Sequence, residues 1–365
     1  MNSSSRSRIA GVLIGTAVGD ALGLPAEGMS PAAIERRGWK SHWKHRLLFG
    51  SGMWSDDTEH TIMLCQALLR NSSNAESFQK AFAWELRFWL LGLPAGVGLA
   101  TARSILKLWV GVPPKRSGVF SAGNGPCMRA AIVGVIFADD PKRRRDFTEA
   151  QTRLTHSDPK ALVASRAVAD LAALLACSEE VPDLAQQMKA IPGEGTDDDW
   201  ERLVQQVDES LRSGHSLHRF LEEAGINPTR GISGYAYHTV PAVLFAGMKN
   251  SWRIEPALEE LFNAGGDTDT VGAIAGALCG SMHGEEGMPM DWIEGVREWP
   301  VGIRDLRRLA NALAEESPIR VRPWWSPFLL VRNLFFLLVV LFHGLSRPFY
   351  FLFKRSNRQV TTASP

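Results

Sequence analysis

Cysteine, tyrosine and strand signals are what this chain has least of. Its four cysteines, Cys65, Cys127, Cys177 and Cys279, stand far apart and form no CxxC pair. That spacing argues against a disulfide framework or a zinc–thiolate site and fits buried, reduced thiols in a cytosolic protein. Alternating β-branched runs are scarce and flank no Asn-Gly hairpin, which argues against a sheet-based fold. Neither a Walker loop nor a Rossmann fingerprint is present, which argues against a nucleoside triphosphatase or a dehydrogenase. Net charge is almost nil: 40 Lys and Arg against 39 Asp and Glu give +1 over 365 residues, so no global basic field exists for nucleic acid. With 45% hydrophobic and 22% charged residues, disorder and collagen-like repeats are also out.

The near-zero charge hides an end without acids. From Ser317 onward there are seven cations (Arg320, Arg322, Arg332, Arg347, Lys354, Arg355, Arg358) and no Asp or Glu, leaving 33 basic and 39 acidic residues in 1–316. The same end carries nine uninterrupted apolar residues, Leu334 to Phe342, inside an 18-residue segment from Phe328 to Leu345. Arg332, Asn333, His343 and Gly344 interrupt that segment. A spanning helix needs about 20 mostly apolar residues, so the segment is marginal for crossing a bilayer. It suits a helix in the membrane interface, with Trp324, Trp325, Tyr350 and the cations at headgroup level, as against a helix packed on the body or in a dimer. A chain ending near Ser317 is expected to keep turnover.

The body has helical spacing of apolar residues after an Asp-rich start at 55–57 and in segments 75–91, 97–110, 126–138, 159–177, 200–212, 215–224, 234–248, 255–263, 269–282 and 302–315. Ser55-Asp56-Asp57, Ser157-Asp158-Pro159 and Asp267-Thr268-Asp269 mark helix starts. The fold class is therefore all-α. Arg6 and Arg8 before the small apolar run Ile9 to Val18 imitate a signal peptide, but Asp20 and Glu27 follow without a convincing cleavage site. This stretch is expected to be a buried first helix.

Four clusters carry chemistry. They are Gly15 to Glu27, Ser55-Asp56-Asp57-Thr58, Gly123-Asn124-Gly125-Pro126-Cys127-Met128-Arg129, and Gly265-Gly266-Asp267-Thr268-Asp269-Thr270. Ser55, Asp56, Asp57, Asp267, Asp269 and Thr270 offer four carboxylates and two hydroxyls with no nearby Cys or His. Such a hard-oxygen set suits magnesium, manganese or calcium, and has room for two ions about 3.5–4 Å apart. Plain helix capping explains each cluster alone equally well. Gly123 and Gly125 could let backbone N–H groups cradle a phosphate at the start of the next helix, with Arg129 supplying donors; a tight turn is the alternative. Asp20 is expected to be a supporting or capping group, and His156 a ribose or phosphate partner or a turn residue. Tyr235 or Tyr237 could stack on a base or pack in the core.

Together and in this order, GDALGLPAE at 19–27, SDDT at 55–58, GNGPCMR at 123–129, THSDP at 155–159 and GGDTDTVGAIAGA at 265–277 resemble the ADP-ribosylglycohydrolase family. The resemblance implies an orthogonal all-α bundle over residues 1–316 with a binuclear magnesium, or manganese, centre. It places the metal on Ser55, Asp56, Asp57, Asp267, Asp269 and Thr270, and the diphosphate on Asn124 and Gly125 beside Gly123. Glu27 matches an acid near the distal ribose, and Asp57 doubles as a candidate catalytic carboxylate. Ser55 departs from the commoner Thr but keeps the hydroxyl, and the tail at 317–365 has no counterpart. The implied function is metal-dependent hydrolysis of the N- or O-glycosidic bond joining ADP-ribose to a protein side chain or small acceptor. The alternatives are a membrane-tethered ADP-ribose sensor and a metal-dependent nucleotide-diphosphate phosphohydrolase. The expected setting is cytoplasmic, with the tail on an anionic membrane and no nucleic-acid partner.

Overall fold

The computed structural model describes residues 3–40, 42–191, 196–315, 317 and 327–360, with side chains from Ser5 to Leu345 within those bounds. Its helices in chain order are α1 (Ser3–Gly23), α2 (Pro31–Arg36), α3 (Asp56–Arg70), α4 (Ala75–Leu91), α5 (Leu99–Trp109), α6 (Pro114–Ser117), α7 (Ala130–Ile136), α8 (Pro141–Thr155) and α9 (Pro159–Cys177). The second half adds α10 (Leu184–Ala190), α11 (Asp198–Arg212), α12 (Leu217–Glu223), α13 (Ala236–Lys249), α14 (Ile254–Ala264), α15 (Thr268–His283), α16 (Met290–Gly295), α17 (Ile303–Glu315) and α18 (Pro327–Val360). Among the described residues β-structure is confined to isolated bridges, so the fold is all-α as expected.

The small-residue run at the N-terminus is the centre of the bundle. Helix α1 runs antiparallel to α15, with Gly11, Gly15 and Gly19 laid against Gly280, Gly276 and Gly272. A Cβ on Gly19 would stand 2.0 Å from the Gly272 carbonyl oxygen, so only hydrogen fits between the two backbones. Ile9, Leu13, Ile14 and Val18 fill the remaining faces and are wholly buried. Each such side chain contributes about 1.5–3 kcal/mol by leaving water. This packing brings the C-terminal end of α1 beside the N-terminal end of α15, about 245 residues away in sequence, where Thr268 Oγ1 donates to the Gly23 carbonyl at 2.7 Å.

Helix α8 lay outside the expected helical segments. Its buried face is polar, made by Thr148, Gln151, Thr152 and Thr155 with only Phe147 and Leu154 apolar, so apolar spacing does not reveal it. The segment expected at 126–138 is shorter: a 3₁₀ turn at Cys127–Arg129 precedes the seven-residue α7. Three cysteines are buried, Cys177 is exposed, and all four are free thiols.

The tail helix α18 is amphipathic in an inverted sense. Leu329, Arg332, Asn333, Phe336 and Val339 recur at helical spacing and are buried against the body. Phe328, Val331, Leu334, Leu338, Leu341, Phe342 and Leu345 are exposed on the other face. The residues that interrupt the apolar run in sequence are thus the ones that hold the helix down. Arg320, Arg322, Trp324 and Trp325 lie outside the described residues, as do the side chains of Arg347, Tyr350, Lys354, Arg355 and Arg358.

Candidate active site

A cavity of about 330 Å³ opens where the starts of α3 and α15 meet the Gly123–Gly125 loop. Its walls include Glu27, Ser55, Asp56, Asp57, Asp267, Asp269 and Thr270, together with Gly123, Asn124, Gly125 and His156. Three of the four sequence clusters and part of the first therefore converge on one space. Tyr235 is not among the lining residues. Its ring packs tilted against Tyr237 and edge-on to His238, and Tyr237 is buried against Trp200 in the core.

Each carboxylate is held by an identifiable local device. Ser55 caps α3, its Oγ accepting from the Asp57 amide at 3.4 Å and donating to Asp57 Oδ2 at 3.1 Å. Asp20, wholly buried, accepts from the Ser55 amide at 2.9 Å, the Thr58 amide at 3.1 Å and Thr58 Oγ1 at 2.6 Å. It is a cap reaching across from α1, as its position suggested, and it ties α3 to the α1–α15 pair. Burial pushes its carboxyl up to about 7 despite these donors. Asp267 occupies the capping position of α15 but its side chain makes no capping bond. Its Oδ2 instead accepts from Asn124 Nδ2 at 2.7 Å, and Asn124 also donates to Thr239 Oγ1 at 2.9 Å. The turn that aims Asp267 needs Gly265 and Gly266, whose φ of 69° and 90° are left-handed. A Cβ on Gly266 would meet the Ile232 oxygen at 2.0 Å.

The electrostatics are those of crowded, dehydrated acids. Burial first, and then neighbouring carboxylates, hold Asp56, Asp57 and Asp269 well above the usual carboxylate range. Asp57 Oδ1 is buried without a hydrogen-bond partner, while its Oδ2 takes Thr270 Oγ1 at 3.4 Å. Helix capping alone would leave neither an orphaned acceptor nor a capping Asp turned off its own helix. Among the described residues no three His, Cys, Asp or Glu side chains already close into a metal cage. What fits a hard divalent cation is the donor chemistry: carboxylates in mutual repulsion, hydroxyls beside them, and one unsatisfied oxygen.

The loop side of the cavity differs from the expectation in one residue. Arg129 does not reach the cradle. It is wholly buried, donating from Nε to Gln151 Oε1 at 2.7 Å and from Nη2 to Thr155 Oγ1 at 2.8 Å, with His60 Nδ1 3.0 Å from Nη1. Gln151 and Thr155 of the polar face of α8 satisfy this guanidinium. His156 does reach the cavity. Its Nδ1 shares a hydrogen bond with Thr155 Oγ1 at 2.9 Å, and burial followed by the Arg129 charge depresses the ring to about 3. It is a neutral imidazole at physiological pH. Cβ atoms on Gly123 or Gly125 would press on that ring at 3.1 and 3.2 Å, so the glycines keep the loop open beside it.

Among the cavity residues that the sequence analysis did not assign to the site, two come from the tail. Phe336 and Val340, from α18, line the cavity alongside Leu24, Ala95 and Leu99. The signal was the helical recurrence of 332, 333, 336 and 340 within an apolar run, which marks an inner face only once the body is known.

The profile of one family, described as ADP-ribosylglycohydrolase, matches residues 1–321. The chain is 29% identical over 323 residues to the ADP-ribosyl-dinitrogen reductase glycohydrolase of Rhodospirillum rubrum, covering 85% of this chain and 96% of that one. It is 26% identical over 360 residues to an ADP-ribosylhydrolase of Gallus gallus, covering 85% and 93%. A solved structure titled ADP-ribosylglycohydrolase-related protein complex superposes with a TM-score of 0.64 at 23% identity, over 87% of this chain and all of that one, a likeness of fold.

Proposed function

Because the chain belongs to the ADP-ribosylglycohydrolase family and is an enzyme acting on glycosidic bonds, we propose that this cavity frees ADP-ribose from an N- or O-linked acceptor with the help of divalent metal. The observation that carries the reading is the meeting of Asp56 and Asp57 with Asp267 and Asp269 around an unsatisfied Asp57 oxygen. Ser55, Asp56, Asp57, Asp267, Asp269 and Thr270 would hold one or two magnesium or manganese ions. Metal bound there would supply positive charge to polarise a sugar hydroxyl or a water.

The chain's own groups divide the remaining work. Asn124 sets the Asp267 carboxylate, and Asp20 sets the start of α3. The Gly123–Gly125 loop and neutral His156 form the wall that takes the diphosphate. Glu27, at the exposed rim, orients water toward the anomeric carbon and accepts its proton as the bond from that carbon to the acceptor nitrogen or oxygen breaks, and the departing atom takes up a proton in exchange. Asp57 holds the sugar end beneath it.

The test is release of free ADP-ribose from arginine- and serine-modified proteins, with magnesium and with chelator, for wild type and Asp267→Ala. Metal-dependent release lost in the variant supports the hydrolase and names the linkage. Binding of ADP-ribose without release turns the protein into a sensor, and AMP or phosphate as product makes it a phosphohydrolase.

A second reading concerns place. The exposed apolar face of α18 lies on a segment with seven cations and no acid, and we infer that it rests on an anionic membrane at the cytoplasmic side. Arg332 is buried and takes no part in that contact. Sedimentation with phosphatidylserine-containing but not neutral vesicles is the expected result.

A further inference from the structure

The tail helix reaches the cavity through one stripe of side chains. Arg332 Nη2 donates to the Trp54 carbonyl at 2.8 Å, next to Ser55, and Asn333 Nδ2 donates to the Gly92 carbonyl at 2.8 Å. Phe336 and Val339 pack with Leu24, Leu47 and Met53, and Val340 lies against this group with Ala95. His343 Nε2 sits 3.2 Å from the Pro25 oxygen. Leu24 and Pro25 lie just before Glu27 in the chain and Met53 and Trp54 just before Asp56, and none of the partners belongs to the Gly123–Gly125 loop. The cavity thus has two unlike walls, one polar at the loop and His156, one apolar at Leu24, Ala95, Phe336 and Val340.

Arg332 also fixes the ring beneath it. Its guanidinium carbon lies 4.5 Å from the Phe336 ring centroid while its nitrogens are bonded to Glu59 and Glu298. Arg332, held at Glu59 and Glu298, therefore covers one face of the Phe336 ring.

We propose that α18 completes the acceptor side of the catalytic cavity, with Phe336 and Val340 as the wall and Arg332 as the residue that positions Phe336. The inference rests on the hydrolase reading: with the diphosphate on the polar wall and the distal ribose by Glu27 and Asp56, the apolar wall faces the group that leaves. It packs against the apolar atoms of the acceptor next to the ribose.

The experiment compares full-length Phe336→Ala, Arg332→Ala and Arg332→Lys with Leu329→Ala, an equally buried change on α18 that does not line the cavity. Phe336→Ala is expected to raise KM for the ADP-ribosylated protein about 10-fold, a pocket contact's usual weight, with kcat within about twofold. Affinity for free ADP-ribose, which has no acceptor, stays unchanged. Arg332→Ala gives the same split, Arg332→Lys restores part of it, and Leu329→Ala changes none of these. An equal KM rise in Leu329→Ala, or equal weakening of free ADP-ribose by Phe336→Ala, overturns the wall. If wild type hydrolyses no ADP-ribosylated substrate, the hydrolase reading fails and amide exchange judges the tail by itself. Residues 53–58 and 92–96 should exchange faster in Arg332→Ala than in Leu329→Ala, and equal exchange overturns the positioning role.

Discussion

Replacing Arg332 by Met should destabilise the whole protein by about 3–5 kcal/mol, the range for removing one partner of a buried ion pair. Both acids that hold it are as buried as it is, with side-chain exposures of 2% for Arg332 and 3% and 2% for Glu59 and Glu298. Arg332 donates to Glu298 twice, from Nε at 3.0 Å and Nη2 at 2.6 Å, and to Glu59 from Nη1 at 2.9 Å. Removing the cation leaves two dehydrated carboxylates without charge compensation. Glu59 keeps only the Trp89 Nε1 donor at 2.6 Å among its described partners. Equilibrium urea unfolding of the full-length chain measures the loss. Glu59→Gln and Glu298→Gln added to Arg332→Met should recover most of it, because charge rather than shape is then no longer missing a partner. A loss below 1 kcal/mol for Arg332→Met, the size of an exposed pair, would refute the account. A chain ending near Ser317 lacks Arg332 and all of α18 together, so its turnover, expected from the sequence to persist, tests the helix as a whole rather than this ion pair.

Gly19→Ala should cost more than 3 kcal/mol or abolish soluble expression, because the added carbon meets a backbone oxygen that cannot yield; a thermal shift of only a degree or two would contradict the α1–α15 packing. His156→Gln should flatten the acid limb of the stability curve. The folded ring titrates near 3 and the unfolded one near 6.5, so wild type loses stability as pH falls through that window, at about 1.4 kcal/mol per unit from this one group. Denaturant midpoints between pH 6 and 4 check it, and identical slopes would count against a buried neutral imidazole. Asn124→Ala frees Asp267 from its 2.7 Å donor and is expected to lower kcat about 10- to 100-fold with ADP-ribose affinity altered less; an unchanged kcat removes Asn124 from the positioning role.

Where sequence and structure agree, local chemistry and tertiary demand coincide. Ser55 and Asp158 are caps in both, and α4 and α9 run where the apolar spacing places them. Asp267 shows how a capping signal can also mark a site, since it occupies the cap but points elsewhere. Failures arise where a buried partner is polar. Helix α8 is invisible to apolar spacing because it buries threonines and Gln151 around Arg129. Arg129 itself looked like a phosphate donor because nothing local reveals that its counterparts lie on α8 and α3. Likewise Arg332, Asn333 and His343 look like flaws in an apolar helix until Glu59, Gly92 and Pro25 are placed opposite them. Tyr235 is the remaining difference, set beside rather than in the cavity because its backbone, paired with Gly123, forms the loop's edge.

The contact between α1 and α15 also constrains how the protein comes to exist. Helix α1 is complete after residue 23, but its glycine face has no partner until α15 ends at 283, about 260 residues later. At about 5–20 residues per second of synthesis, that is roughly 13–50 s. During this interval the ribosome carries an apolar N-terminal helix of membrane-span length whose α3 and α7 faces can be covered but whose α15 face cannot. A chain stopped before residue 283 is therefore left with part or all of that glycine face uncovered.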